Sequence, residues 1–429
     1  MNLKIFFFSI ILIIVVCILF FSNYFNKVFN FIQYQADQYL PRYSQVYIED
    51  SINSATLKAQ NEAFNFFKGH LNPSSLDLTL TKISDIDLES LEGKNFHLIK
   101  YKANFLNMIK KSSEIGTSYI DFYKDRILIA QENGLFFSIP KGAIEAGDNN
   151  IKAIKINSNI NKFTNYIDFY GPGKFGLKDI LAINDQLYVS FIRERKPNCF
   201  NVSILVASID LELEFKMLFS PDFCIDKNSN EFNAEQTGAR MAAYLENKIL
   251  LSTGEFRLRG NAQNLKNGFG KILSVDISNG KSEIMSLGHR NPQGLYFSRE
   301  FNEIWSTEHG PFGGDEINVN KISDNEMIPN FGWPKASYGA HYGAGEYILK
   351  STGYELIENR KFSAYESAPL FKSHSDYGFT EPLIKLIPSV GISQISEVSN
   401  LYSHIDADRS FVVGTMGYAA SDYIPSVSM

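Results

Sequence analysis

The stretch Leu287–Trp333 concentrates the side chains that could do chemistry. Arg290 and Asn291 stand side by side, so a guanidinium and an amide are presented together just before an apolar run. This pair suits a ligand with several carbonyl or carboxylate oxygens, because arginine binds such oxygens in a bidentate way. The alternative is structural, since the same two side chains could tie down loops between neighbouring sheets.

A second group of oxygen donors follows in the same stretch. His309-Gly310-Pro311 leads into Gly-Gly-Asp315-Glu316, a tight turn rich in carbonyl and carboxylate oxygens. Backbone carbonyls with a carboxylate nearby are the ligands that calcium prefers. The alternative is a Gly/Pro turn whose Asp315 and Glu316 are solvated.

Short strands must position these loops. The runs GLYFS and EIWST alternate apolar and polar residues as the strands of a half-buried hairpin do, which places the polar clusters at strand ends. Similar units recur, and counting from Gly176, Gly238 and Gly294 the steps are 62 and 56 residues. Repeating antiparallel units of this size predict an all-β fold, a β-propeller, rather than a sandwich. Five units are visible and a sixth is not evident, so the last blade is expected to be incomplete.

The N-terminus predicts a membrane anchor. Residues 5 to 26, 22 in all, carry no charge, which is long enough for a transmembrane helix. A cleaved signal peptide is the alternative, but the run ends in bulky residues. We therefore expect an anchor over 1–27, a partly helical membrane-proximal region over 28–95, and the propeller over 96–429.

If the chain is exported, two of its cysteines can pair. In an oxidising compartment Cys199 and Cys224 can form a disulfide that closes a loop of about 25 residues, worth about 3 kcal/mol. The alternative is two unpaired, small apolar residues. With a net charge of −6 and no basic block, the chain has no signature of nucleic-acid binding.

The motifs GHRNPQGL, EIWSTEHGPFGGDEIN and NFGWP resemble those of the glucose/sorbosone dehydrogenase family. The resemblance implies a six-bladed propeller that uses pyrroloquinoline quinone (PQQ) and calcium to oxidise an aldose at C1. Together with the predicted anchor, it implies a propeller on the periplasmic, extracytoplasmic side of the membrane.

The resemblance also implies roles for individual residues. Arg290 and Asn291 would contact the carbonyl oxygens of the quinone, and Arg290 would polarise the accepting carbonyl. Glu255 stands where the family carries an aspartate in the cofactor site. The carbonyls of Gly310 and Pro311 would bind the calcium that sits on the cofactor, and His309 beside them would bind the cofactor. Glu316 and the carbonyl of Phe331 would belong to a second, structural calcium site.

Three positions depart from the family pattern. Gln236 stands where the family has the histidine that removes the hydroxyl proton of the sugar, and an amide cannot accept that proton. Gly417 replaces a cofactor-binding lysine, and Leu386 replaces an aromatic residue. The alternative function is therefore a non-catalytic propeller that binds calcium, a glycan or a protein.

Overall fold

Strands make up most of the regular structure in the computed structural model. It describes residues 78–89, 95–103, 118–164, 175–229, 232–311, 313–322, 327–339, 347–350, 353–356, 373–398 and 409–416. All of them belong to one compact unit, Leu76–Met429. The described helices are short: α1 (Lys141–Glu145) and the 3-10 turns Ile160–Lys162, Arg259–Gln263 and Ser375–Tyr377.

Five antiparallel sheets follow one another along the chain, and we number them 1 to 5. Sheet 1 contains β3 (Ser118–Tyr123), β4 (Arg126–Gln131), β5 (Phe136–Pro140) and β7 (Ile154–Ser158), with β11 (Glu212–Leu213) added in parallel. Sheet 2 contains β8 (Leu177–Ile183), β9 (Gln186–Lys196), β10 (Cys199–Ser208), β12 (Lys216–Phe219) and β13 (Ile225–Asp226). Sheet 3 contains β14 (Gly238–Ala243), β15 (Lys248–Thr253), β16 (Lys271–Asp276) and β17 (Ser282–Leu287).

The remaining strands complete the described structure. Sheet 4 contains β18 (Pro292–Ser298), β19 (Glu303–Glu308), β20 (Asp315–Lys321) and β23 (Ile384–Leu386), and sheet 5 contains β24 (Ile392–Glu397) and β25 (Phe411–Thr415). A separate pair is β21 (Tyr347–Lys350) and β22 (Gly353–Leu356). A further sheet is formed by β1 (Thr79–Glu89), β2 (Asn95–Ala103) and β6 (Asn150–Lys152).

The five sheets are arranged as consecutive blades of a propeller. The first strands β3, β8, β14, β18 and β24 contact one another in that order. Apolar side chains fill the space between each sheet and the next, as Leu250 of sheet 3 and Leu295 of sheet 4 do in one cluster. A sheet stacked face to face only with its two neighbours is the propeller arrangement. The all-β prediction is therefore confirmed, and the count of six blades stays a prediction.

Carboxylates tie neighbouring first strands together. Asp121 of β3 accepts a hydrogen bond from the backbone amide of Ala182 at 2.6 Å, and Asp179 of β8 accepts one from Met241 at 2.7 Å. Burial raises the pKa of both carboxyls, to about 6 for Asp179. The two bonds join residues that are 61 and 62 positions apart, close to the step of 62 residues from Gly176 to Gly238 in the sequence.

Bulges at the starts of the first strands aim the site residues. The pairing of the first with the second strand shifts register at the beginning of β8, β14, β18 and β24. A bulge bends a strand and redirects its side chains. Gly238 opens β14 with a φ of +59°, and a Cβ there would lie 2.9 Å from the carbonyl oxygen of Pro292. Glycine therefore lets sheets 3 and 4 approach closely where the site residues lie.

Several sequence predictions can now be compared with the structure. Cys199 and Cys224 form the predicted disulfide, which joins the start of β10 to the segment before β13. Among the described residues, β structure begins at Thr79, within the region 28–95 for which the sequence predicts a partly helical structure. The predicted anchor over 1–27 and residues 28–77 of the predicted membrane-proximal region lie outside the described residues. Within the described part of the chain, no helix is long and apolar enough to cross a membrane.

Candidate functional site

The loop between β17 and β18 is held by a buried hydrogen-bond chain. His289 lies 2.7 Å from Ser286 through Nε2 and 2.9 Å from the Glu308 carboxylate through Nδ1. The other oxygen of Glu308 accepts from the backbone amide of Arg290. Because the carboxylate accepts, the arrangement places the imidazole proton on Nδ1 and leaves Nε2 to accept from Ser286. The loop that carries Arg290 is therefore rigid.

Arg290 is directed onto the turn that follows β19. Its Nη1 donates to the carbonyl oxygens of His309 at 2.8 Å and Gly310 at 2.7 Å, and its guanidinium lies 5.5 Å from the ring centre of Trp333. Two carbonyl oxygens thus converge on one positively charged nitrogen. The carbonyl oxygen of Pro311 instead accepts from the amide of Gly314 at 3.1 Å, inside the turn.

Gln236, Glu255 and Arg290 form a closed set that we call the amide triad. In the orientation that satisfies both amide atoms, Gln236 donates to Oε1 of Glu255 at 2.8 Å and accepts from Nη2 of Arg290 at 3.0 Å. The backbone repeats the link, because the amide of Glu255 donates to the carbonyl of Arg290 at 3.0 Å. All three side chains are buried, and Glu255 is completely so. The neighbouring Glu235 is exposed.

Asn291 ties down loops between neighbouring sheets, as the structural alternative for the Arg290–Asn291 pair predicts. Its Oδ1 accepts from the backbone amide of Gly238 at 3.0 Å and from Gln293 at 2.9 Å, so it joins sheet 4 to the start of sheet 3. His309 follows β19, and its backbone amide donates to the carbonyl of Asn291. Burial is the main cause that lowers the pKa of its imidazole. The structure brings both residues to the loop of Arg290, and their roles toward a quinone stay predictions.

The solvated-turn alternative for Asp315 and Glu316 is wrong. Asp315 is 1% exposed, and its Oδ2 accepts from three successive backbone amides at the start of sheet 5, those of Val390, Gly391 and Ile392. Glu316 is 6% exposed. A carboxylate that receives three amide hydrogen bonds holds the loop before β24 in place, so Asp315 is a structural residue.

Glu308, Glu316 and His374 form a second buried set that we call the acid cavity. Glu308 and Glu316 are directly opposite each other on β19 and β20, and His374 Nε2 lies 3.7 Å from Glu316 Oε1. Burial, followed by the neighbouring Glu308 charge, raises the pKa of Glu316 well above its usual range, and burial lowers the pKa of His374. Like charges opposite each other on paired strands are destabilising, so this set calls for a cation or a proton.

A small cavity reaches both sets. Its walls include Arg290, Glu308, Glu316, Phe331 and Trp333, and it has room for about one water-sized particle (≈ 10 Å³). Phe331 itself is buried, with its ring 4.9 Å from that of His289. Within the described part of the chain, no cluster of three or more His, Cys, Asp or Glu side chains has the geometry of a metal site.

A buried lysine supports the triad from behind. Nζ of Lys271 donates to the carbonyl oxygens of Asn261, Ala262 and Phe269 at 2.9, 2.9 and 2.7 Å. Burial lowers its pKa to about 7. The 3-10 turn Arg259–Gln263 is thereby fixed next to the segment that carries Glu255.

Sequence reasoning missed two parts of the site. Glu308 and His289 were not singled out, although both lie in the motifs GHRN and STEHGP that drew attention to Arg290. An imidazole just before β18 and a carboxylate at the end of β19 were a usable signal, because both ends belong to the same hairpin. His374 could not be found, because nothing in the sequence near it points to Glu316. Leu386 pairs with Asp315 through β23, whereas Gly417 lies outside the described residues.

Comparison with known proteins shows which proteins this chain is similar to. The family model for glucose/sorbosone dehydrogenase matches residues 127–369. The aldose sugar dehydrogenase YliI of Escherichia coli (strain K12) is 33% identical over 118 residues, which are 24% of this chain and 30% of that protein. An uncharacterized protein of Synechocystis, slr1608, is 31% identical over 112 residues, 23% of this chain and 26% of that protein. The match thus spans less than a third of either curated relative.

Two solved structures are similar at lower identity. The apo-form of the soluble aldose sugar dehydrogenase of Escherichia coli is 18% identical with a TM-score of 0.48, over 69% of this chain and 79% of that one. The PQQ-bound form of aldose sugar dehydrogenase from Streptomyces coelicolor is 18% identical with a TM-score of 0.42, over 63% and 67% of the two chains.

Proposed function

This chain belongs to the glucose/sorbosone dehydrogenase family, and from that membership we propose that it is a PQQ- and calcium-dependent oxidoreductase that oxidises an aldose sugar at C1. The observation that carries the proposal is the position of Arg290, whose guanidinium is held by rigid loops where two backbone carbonyls converge. A fixed positive charge stabilises the negative charge that develops on an accepting oxygen without having to reorganise.

The turn after β19 fits a cation in its donor chemistry. The carbonyls of His309 and Gly310 direct their lone pairs at a positive nitrogen of Arg290, and carbonyl oxygens are the ligands that calcium prefers. Arg290, Asn291 and this turn would hold the cofactor and its calcium. When bound, PQQ would supply the carbonyl that accepts the hydride from the sugar C1.

The proton of the sugar hydroxyl needs an acceptor other than Gln236. Glu255 is a carboxylate whose Oε1 lies 2.8 Å from the Gln236 amide nitrogen, in the same triad as Arg290. We assign it the role of base in this chain. Gln236 covers Glu255, so its amide must rotate away before a hydroxyl can reach Oε1. A base acting in this way contributes about 10²–10⁴ to the rate.

We also propose that the enzyme is anchored to the membrane with the propeller on the periplasmic, extracytoplasmic side. The uncharged run between Lys4 and Lys27 supports the anchor. The Cys199–Cys224 disulfide supports the side, because disulfides persist in oxidising compartments.

The test is dye reduction by the purified full chain with PQQ, calcium and a panel of aldoses. We expect saturable turnover with at least one aldose and a loss of about 10²-fold or more in Glu255→Gln. Glu235→Gln is the matched control, since that carboxylate is exposed one residue before Gln236, and its rate should equal that of the wild type. No turnover, together with no change in the PQQ absorbance on mixing, contradicts the proposal.

A second candidate function is a non-catalytic propeller that binds calcium, a glycan or a protein. The amide triad favours it, because Gln236 joins Glu255 to Arg290 and both of those charged groups are already hydrogen-bonded. This candidate predicts binding of sugar or calcium in calorimetry without any dye reduction. Turnover in the assay above contradicts it.

A further inference from the structure

We propose that Glu316 and His374 are two ligands of one divalent transition-metal ion of the Zn²⁺ class, with the Asn318 amide oxygen as a third. The site is separate from the sugar chemistry proposed above and does not depend on it. The resemblance to the family assigns Glu316 to an all-oxygen calcium site, and it does not predict an imidazole there.

The state of His374 points to a ligand. The side chain is 1% exposed, and neither ring nitrogen has a hydrogen-bond partner among the described residues. Leaving a buried polar group unsatisfied costs about 1–3 kcal/mol. Native structures rarely leave both ring nitrogens of one buried imidazole without a partner. A ligand of the His374 ring, such as a metal ion, is therefore expected beside it.

The separation of the two side chains fits a shared metal ion. Nε2 of His374 and Oε1 of Glu316 are 3.7 Å apart, too far for a hydrogen bond. With metal–ligand bonds of about 2.1 Å each, this separation corresponds to an angle of about 120° at the metal. This angle is close to that of a tetrahedral zinc site, so the separation of the two atoms is compatible with one shared ion.

The carboxylate side of the site is presented by one strand. Glu316 and Asn318 are two residues apart on β20, so their side chains are on the same face of sheet 4. Asn318 is completely buried. Glu308 adds negative charge from the opposite position on β19, which favours any cation placed here.

The imidazole side is locked by its surroundings. The backbone amide of His374 donates to Glu381 at 2.9 Å, and its carbonyl accepts from the amides of Tyr377 and Phe379. The ring packs against that of Tyr338 with centres 5.3 Å apart. At Gly332 a Cβ would lie 3.0 Å from the His374 ring, so the glycine leaves room for it. A ring fixed in this way is preorganised for a metal.

The nitrogen donor selects the kind of ion. Calcium and magnesium bind through oxygen, whereas neutral imidazole is a ligand of zinc and its neighbours in the first transition row. One carboxylate, one imidazole and one amide oxygen leave a coordination position for water, for which the adjacent cavity has room. The competing explanation is a protonated Glu316 beside a neutral His374, with no metal at all.

The test is metal binding by the full chain after treatment with a chelator. In calorimetry we expect one site that binds Zn²⁺ at least tenfold more tightly than Ca²⁺, and that loses at least tenfold in affinity in His374→Ala. Asp376→Asn is the matched control, because that side chain is exposed in the same turn, and it should bind Zn²⁺ as the wild type does. Metal analysis of the chain as purified should show about one transition-metal ion that is lost in Glu316→Gln.

A spectroscopic measurement on the wild type makes the test independent of variant folding. With Mn²⁺ as the probe, pulsed electron paramagnetic resonance should detect a directly coordinated imidazole nitrogen. Tighter binding of Ca²⁺ than of Zn²⁺, or bound Mn²⁺ without a nitrogen signal, would overturn the proposal in favour of an all-oxygen site. No binding of Zn²⁺, Mn²⁺ or Ca²⁺ would overturn it in favour of the protonated pair.

Discussion

The amide triad (Gln236, Glu255, Arg290) and the acid cavity (Glu308, Glu316, His374) both contribute walls to the same small void. They differ in how their buried charges are compensated. In the triad, Gln236 supplies one donor and one acceptor, so the carboxylate and the guanidinium that it joins are both hydrogen-bonded. In the acid cavity, two carboxylates are opposite each other, and the imidazole beside them has no hydrogen-bond partner among the described residues. A satisfied set is stable without a ligand, whereas an unsatisfied set is stable only with one.

The two sets depart from the family pattern in different ways. The histidine that the family resemblance places at position 236 could accept a proton, whereas the amide of Gln236 cannot. At the acid cavity, an imidazole is brought to a carboxylate that the resemblance gives to calcium. The first change replaces a titratable side chain by an amide, and the second adds a nitrogen donor beside a carboxylate.

The largest expected effect comes from reopening the triad. Gln236→His introduces a proton acceptor beside Glu255, which would orient it, so kcat for aldose oxidation with PQQ and calcium should rise by about 10²-fold or more. Gln236→Asn is the matched control and should show no gain. An unchanged rate in Gln236→His would mean that a second proton acceptor adds nothing to the base that Glu255 provides.

Breaking the triad should destabilise the fold. Arg290→Met leaves the buried Glu255 without its positive neighbour, and removing one partner of a buried charged set costs about 3–5 kcal/mol of unfolding free energy. Urea denaturation measures it. Arg299→Met, on the exposed turn after β18, loses only one hydrogen bond, to the carbonyl of Tyr244 at 3.3 Å, and should lower the unfolding free energy by no more than about 1 kcal/mol. Equal losses in the two variants would show that Arg290 is not part of a buried network.

The acid cavity should respond to metal where the triad does not. A Zn²⁺ concentration of 100 times Kd should raise the unfolding free energy by about 2.7 kcal/mol. Glu316→Gln removes both the ligand and the like-charge repulsion, so it should abolish this increase without a comparable loss in the metal-free chain. A Zn²⁺ response that survives in Glu316→Gln would place the ion elsewhere.

The smallest effect concerns Lys271, the buried cation behind the triad. Its pKa is lowered to about 7 from 10.5, so between these pH values the unfolded chain binds a proton that the folded chain does not. Unfolding free energy should therefore rise with pH across this window, by up to about 1.4 kcal/mol per pH unit. The rise should be absent in Lys271→Met, compared by denaturation at pH 7, 8 and 9. A parallel pH profile in the two proteins would contradict the assignment.

Much of the scaffold follows from local pattern. Alternation in GLYFS and EIWST predicts β18 and β19, and the step between units predicts consecutive sheets, because both depend on which face of a strand is buried. The disulfide between Cys199 and Cys224 was also predicted, on the condition that the chain is exported to an oxidising compartment. Residues 71–93 carry no such pattern, so the strand from Thr79 was missed although it pairs with the neighbouring β2 over most of its length.

Arg290 and Glu316 show how far the sequence by itself determined the candidate site. The sequence identified their residue types and the loops that carry them, and it also identified the glutamine at position 236. What these groups touch was decided only by the tertiary structure. The triad joins segments of different sheets, and the acid cavity joins β20 to His374 across a long insertion. Such contacts depend on how rigid sheets stack, and the pattern within a strand holds no information about the loop that the next sheet will bring beside it.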